Sequence, residues 1–173
     1  MPMLDLYSSI VILQSMRNLP RYRKCFICGK DNPCGLNVTF KTNEEEVYAF
    51  VKFKDQHVGF KDRIHGGIIS GLLDEVMGWA CTIKTKRMYF TIELNVKFKK
   101  PVRPYENFIA EAIHTGEKHG ICTSEGILRD GNGNILAEAF GKYYPLTYEA
   151  QQEILKMLHH EPEDSLPITE KDL

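Results

Sequence analysis

"HGGIISGLLDEVMGWA", residues 65–80, decides how the rest of the chain is arranged. At about 100° per residue, Ile68, Ile69, Leu72, Leu73, Val76, Trp79, Ala80 and Ile83 fall on one side of a helix running from about Gly67 to Thr85. Gly67, Ser70, Gly71, Asp74, Gly78 and Cys81 fall on the other side, and nearly all of them are small. Glu75 sits at the edge of that stripe. A face turned to water normally carries Lys, Glu and Gln, which favour helices. Each glycine costs a helix about 0.5–1 kcal/mol relative to alanine. The small face therefore predicts that a ligand or a second subunit approaches the helix backbone closely.

His65-Gly66-Gly67 stands where this helix should begin. A helix N-terminus carries unpaired N–H groups and partial positive charge, which suit a developing oxyanion. Two glycines there leave those donors uncovered. The sequence then sets a carboxylate nine residues after the histidine, inside the small stripe. Asp74 and Glu75 are adjacent, and the face argument favours Asp74 for chemistry.

Working outward, Leu36–Lys41 and Val47–Phe53 alternate apolar and polar residues across the acidic turn Thr42–Glu46. After the helix come four candidate strands: Tyr89–Lys99, Asn107–Thr115, Gly120–Arg129 and Ile135–Tyr144. DGNGN at 130–134 is a strong hairpin signal between the last two. Residues 4–18 have mostly helical spacing and end before Pro20, and Tyr148–His159 has the pattern of a short C-terminal helix. Two strands, a long helix and a four-stranded meander predict an α+β fold, because strands joined by tight turns are antiparallel. The one long helix must cover one face of a six-stranded sheet. The expected organisation is an N-terminal helical extension at 1–24, one domain at 25–145, and a C-terminal helix and tail at 146–173.

The chain has 173 residues, enough for one domain with a proper core. Its formal charge of −1 gives no reason to expect nucleic acid or an anionic membrane as partner. IVIL at 10–13 reads as part of an amphipathic helix and not as a signal peptide, and no apolar run reaches membrane-spanning length. Five cysteines, with Cys81 and Cys122 in apolar-periodic segments, predict reduced thiols and a cytoplasmic protein. Cys25-x-x-Cys28-Gly resembles half of a zinc knuckle, with Cys34 as a third ligand. A structural zinc site needs four ligands, and no second Cys/His pair follows at normal spacing. The expectation is a turn entering the first strand and no metal.

HVGFKDRIHGGIISGLLDEVMGWA, together with TIELNVKFKKPV at 91–102 and the upstream CFICGKDNPCGLNV, resembles the hot-dog-fold acyl-CoA thioesterases of the PaaI-like group. The resemblance covers roughly residues 25 to 145. It implies a sheet wrapped around the central helix and hydrolysis of acyl-CoA to a free acid and coenzyme A. No cofactor is implied, since the coenzyme A thioester is the substrate. By the same resemblance, Asp74 is the general base or nucleophile, and the Gly66 N–H polarises the thioester carbonyl. His65 is a positioning group, and Thr91 supplies a hydroxyl near the attacking water. His57, Gly67 and Glu75 fall at positions that approach the substrate. The resemblance also implies a homodimer or homotetramer with the active site between subunits. Relatives often have Pro-Gly where this chain has Lys61-Asp62, which bears on the loop that carries His57.

Lys97, Lys99, Lys100 and Arg103 form a basic run at the end of a strand. They read either as ordinary solvent-facing lysines or, for Lys99 and Arg103 above all, as contacts to coenzyme A phosphates. Two competing functions are a hot-dog dehydratase or hydratase and a non-catalytic acyl-CoA-binding domain. No His-Phe-Pro loop of the dehydratase type is present, and the Asp74, Gly66 and Thr91 set is intact.

Overall fold

The computed structural model describes residues 16–161 together with Asp164 and Ile168. Its centre is helix α1, Gly66–Thr85, the helix expected from the apolar stripe. His65 caps its start, and Lys86 closes its end in the left-handed conformation with φ 59°. Before it come β1 (Arg17–Asn18), β2 (Arg21–Tyr22), β3 (Phe40–Thr42), β4 (Glu46–Lys52), β5 (Val58–Phe60) and β6 (Arg63–Ile64). After it come β7 (Tyr89–Phe98), β8 (Asn107–Lys118), β9 (Ile121–Asp130), β10 (Ile135–Pro145), helix α2 (Tyr148–Met157) and β11 (Leu158–His159).

The main sheet is antiparallel, in the order β1-β3-β4-β8-β9-β10-β7. It holds the six expected strands and one more, the two-residue β1. The N-terminal helix expected over 4–18 falls on residues outside those described up to 15, but its last part, Arg17–Asn18, is a strand paired with Thr42 and Lys41. The C-terminal helix ends at Met157, two residues sooner than expected. Leu158–His159 instead pair with Tyr22 and Arg21, which brings the two terminal segments together.

The hairpin turns follow local chemistry. The β8–β9 turn puts His119 and Gly120 at φ 52° and 78°, the two positive values a tight primed turn requires. The Asp130 carboxylate accepts the amides of Asn132 and Asn134 at 3.0 and 2.8 Å, fixing the β9–β10 turn.

Ile69, Leu72, Leu73, Val76, Met77 and Ile83 of α1 are buried against Phe40, Val47, Ala49, Phe108, Ala110 and Leu128 of the sheet. Burying a large apolar side chain contributes about 1.5–3 kcal/mol, so this stripe fixes the helix on the sheet. Gly126 of β9 lets the helix come close, since a Cβ there would lie 2.9 Å from Met77 Cγ. The arrangement is the expected hot-dog sheet wrapped around one long helix. One correction concerns cysteine. Cys81, seven residues after Asp74 on the same stripe of α1, is buried there and bonds to Cys122 of β9 as a disulfide. Their Cα atoms are 6.3 Å apart, within the range a bridge spans, so this pair is not the two free thiols expected.

Candidate active site

The small face of α1 is closely approached, though by this chain's own groups. A Cβ on Gly71 would lie 3.2 Å from Ile27 Cδ1, and one on Gly78 would lie 3.6 Å from the Tyr143 ring. At Gly67 it would lie 3.0 Å from His65 Nδ1. The glycines thus admit the 25–28 loop, the Tyr143 ring and the capping histidine. Between loop and ring a cavity of about 410 Å³ remains, with Asp74, Glu75, Thr91 and Tyr143 in its wall. Tyr22, Ile154 and Leu158 from the terminal segments also line it.

Asp74 is half-buried, and its Oδ1 accepts the Thr91 hydroxyl at 2.7 Å and the Tyr143 phenol at 3.3 Å. The same phenol lies 3.2 Å from the Asp74 backbone carbonyl. Among the described residues, no donor is recorded on Oδ2. Burial pushes the Asp74 carboxyl above the usual aspartate range, while the Thr91 and Tyr143 hydrogen bonds pull it back. Burial, followed by the Asp74 charge, pushes the Tyr143 phenol up, so it remains a donor. The result is a desolvated carboxylate aimed by two hydroxyls, with one oxygen free to take a proton.

Gly66 opens a different cavity, about 330 Å³, at the start of α1. Arg63, Phe98, Lys99 and Lys100 share its wall. His65 Nδ1 accepts the Gly67 amide at 2.9 Å, so its ring serves the helix start as a cap. The Gly66 amide has no recorded acceptor among the described residues. Eight residues of helix separate it from Asp74, a rise of about 12 Å. No thioester carbonyl can meet both groups of one chain. A wider hollow of about 600 Å³ lies over β7, β9 and β10, but neither Asp74 nor Gly66 lines it.

Residues 62–133, which carry both groups, match the family model of the thioesterase superfamily. That segment, less than half of the chain, is similar to the thioesterase superfamily. Its fold has solved counterparts. A thioesterase superfamily protein is 20% identical with a TM-score of 0.65, covering 70% of this chain and 60% of its own. The E. coli PaaI protein from the phenylacetic acid degradation operon is 14% identical with a TM-score of 0.59, over 65% of this chain and 81% of its own. A Streptococcus mutans protein bound to acetyl CoA is 13% identical with a TM-score of 0.56, over 59% and 82%. No curated protein matches the chain.

Within the matched segment, the structure brings Asp74 and Thr91 together, while His65, Gly66 and Gly67 sit at the start of the same helix. Lys99 lies at the Gly66 cavity and pairs with Glu138, whereas Arg103 is exposed and outside that wall. His57 departs from expectation. It is buried edge-on to Phe53, its Nδ1 accepts the Lys54 amide at 3.0 Å, and it does not line the Asp74 cavity. Burial, then the nearby Lys54 charge, holds its pKa down, so it is a neutral structural imidazole. Glu75 turns away from Asp74 towards the 25–28 loop, where its Oε2 lies 3.0 Å from Cys25 Sγ. Burial pushes the Glu75 carboxyl up, while the Cys28 thiol holds Cys25 down to about 5 against its own burial.

Tyr143 is the residue sequence reading missed. Its signal was Gly141, two residues earlier on the same strand face, where a Cβ would lie 2.5 Å from the phenol oxygen. Beside it the β10–β7 register shifts between Lys142 and Tyr143, with Ile92 of β7 as the extra residue.

Only the carboxylate form of Asp74 accepts a proton, so if Asp74 serves as the base, kcat/KM on a thioester should rise with pH through its folded pKa. Burial places that limb above the range of an ordinary aspartate. Thr91→Val removes a hydrogen bond that favours the charged form, and the limb should move to higher pH. A pH profile of both proteins checks this, and a shift to lower pH contradicts the assigned contact.

Proposed function

We propose that the chain hydrolyses acyl-CoA thioesters, with Asp74 as general base or nucleophile and the Gly66 amide polarising the carbonyl. The observation that carries this reading is the Asp74 carboxylate, half-buried, oriented by Thr91 and Tyr143 through Oδ1, and set in the wall of a cavity. A desolvated carboxylate at such a site can take a proton from water as the water attacks the thioester carbon, or attack that carbon itself. An amide at a helix start, aimed at the carbonyl oxygen, stabilises the charge that then develops.

The rise of about 12 Å between the two groups within one helix requires a second copy of the chain. In a two-fold assembly, Gly66 of one subunit would face Asp74 of the other, and two equivalent sites would form. The edge position of β7 among the described strands favours such a partner, because Phe90, Ile92 and Phe98 are 51%, 46% and 52% exposed there. Arg63, Lys99 and Lys100 beside Gly66 suit the phosphates of coenzyme A. The acetyl CoA bound by the S. mutans protein of the same fold supports that substrate class.

A dehydratase would pair a loop histidine with the helix carboxylate, and the burial and cap of His57 oppose that. Thiol release across an acyl-CoA series, with crotonyl-CoA hydration as control, tests the reading. Hydrolysis with a chain-length optimum is expected. Hydration without thiol release, or binding without turnover, overturns it.

A further inference from the structure

One cluster of reactive side chains is left unused by thioester hydrolysis. The Sγ atoms of Cys25 and Cys28 and a carboxylate oxygen of Glu75 all lie within 4.8 Å of one another. Cysteine and carboxylate ligands bind zinc at about 2.3 and 2.0–2.2 Å, so a tetrahedral ion sets two sulfurs and one oxygen about 3.5–3.8 Å apart. The three atoms are therefore already near the corners of one coordination shell.

The loop is built around the first cysteine. The amides of Ile27 and Cys28 point at Cys25 Sγ, at 3.2 and 3.4 Å, and such N–H donors stabilise a sulfur anion. Gly29 makes this turn possible. Its amide donates to the Cys25 carbonyl at 3.0 Å, and a Cβ would lie 2.4 Å from that oxygen and 2.5 Å from the Arg23 carbonyl. Cys34, the third ligand that sequence spacing offers, is exposed, and its amide donates to Asn32 Oδ1 in a local turn. Glu75 takes that place from a distant part of the sequence.

We propose that Cys25, Cys28 and Glu75 form a zinc site that fastens the 25–29 loop to α1 beside Asp74. Two thiolates select a thiophilic ion over magnesium or calcium, and binding releases the thiol protons. All three residues line the cavity that holds Asp74, from which a water molecule can supply the fourth ligand. The inference is independent of the hydrolytic reading, because the ligand set does not use Asp74 or Gly66.

The test is zinc stoichiometry of the full chain purified without chelator, with folding followed by circular dichroism. One zinc per chain is expected. Cys34→Ser should retain it, Cys25→Ser/Cys28→Ser should lose it, and Glu75→Gln should weaken it by about 10- to 100-fold or more, since it removes a direct ligand. Cobalt added to the metal-stripped, unaltered chain supplies a measurement that needs no variant. Thiolate-to-cobalt charge-transfer absorption at one equivalent supports the site. Absence of zinc together with absence of that absorption, or zinc retained in the double serine variant, overturns it.

Discussion

Asp74→Asn should lower kcat on acyl-CoA substrates by about 10²-fold or more, with KM little changed, as expected for loss of a catalytic base or nucleophile. The substitution is close to isosteric. Its side-chain oxygen can still accept from Thr91 and Tyr143, so the cavity wall keeps its shape. What disappears is the basic oxygen at Oδ2. Folding should not suffer, because burial already disfavours charge at this position. Steady-state kinetics with a thermal melt separate the two effects. Unchanged turnover in Asp74→Asn, with turnover lost in Glu75→Gln, would transfer the chemistry to the neighbouring carboxylate.

Gly66→Pro should cost about 10²–10³ in kcat by removing a single oxyanion donor. Proline fits the first turn of a helix, where its missing N–H has no intrahelical acceptor. His65 before it has ψ 132°, the extended conformation that a residue preceding proline prefers. The new ring would meet Phe98 at the Cζ atom, about 3.2 Å from the Cβ position, and Phe98 is half-exposed and free to swing. The variant therefore deletes one donor from a helix that still forms. Full activity in a folded Gly66→Pro protein would remove the amide from the mechanism.

How much of this was legible in the sequence depends on the range of the interaction. The helix at 66–85 could be read because its apolar stripe repeats every three to four residues and is bounded by His-Gly-Gly. The four-stranded meander could be read because each hairpin turn carries its own local chemistry. Asp74 stood out because a costly small face surrounds it. The Cys81–Cys122 bond was not legible, because only the approach of Cys122 on a distant strand reveals it.

Tyr143, Glu75 and His57 depended on contacts that no local pattern encodes. The Tyr143 phenol reaches Asp74 across 69 residues of sequence, and Glu75 meets Cys25 across 50. His57 was expected near the substrate from the resemblance alone, yet Phe53 and the Lys54 amide hold it inside. Two-residue strands such as β1 and β2 are too short for any periodicity to register, and their pairing is supplied by β3 and β11.

The proposed site takes Gly66 from one chain and Asp74 from another. Mixing the two inactive variants, Asp74→Asn and Gly66→Pro, under conditions that exchange subunits tests it most directly. Each mixed dimer would hold one intact site and one doubly damaged site. With random pairing, the mixture should recover about a quarter of wild-type activity per chain. A mixture no more active than its two components would contradict a shared site and return both groups to a single chain.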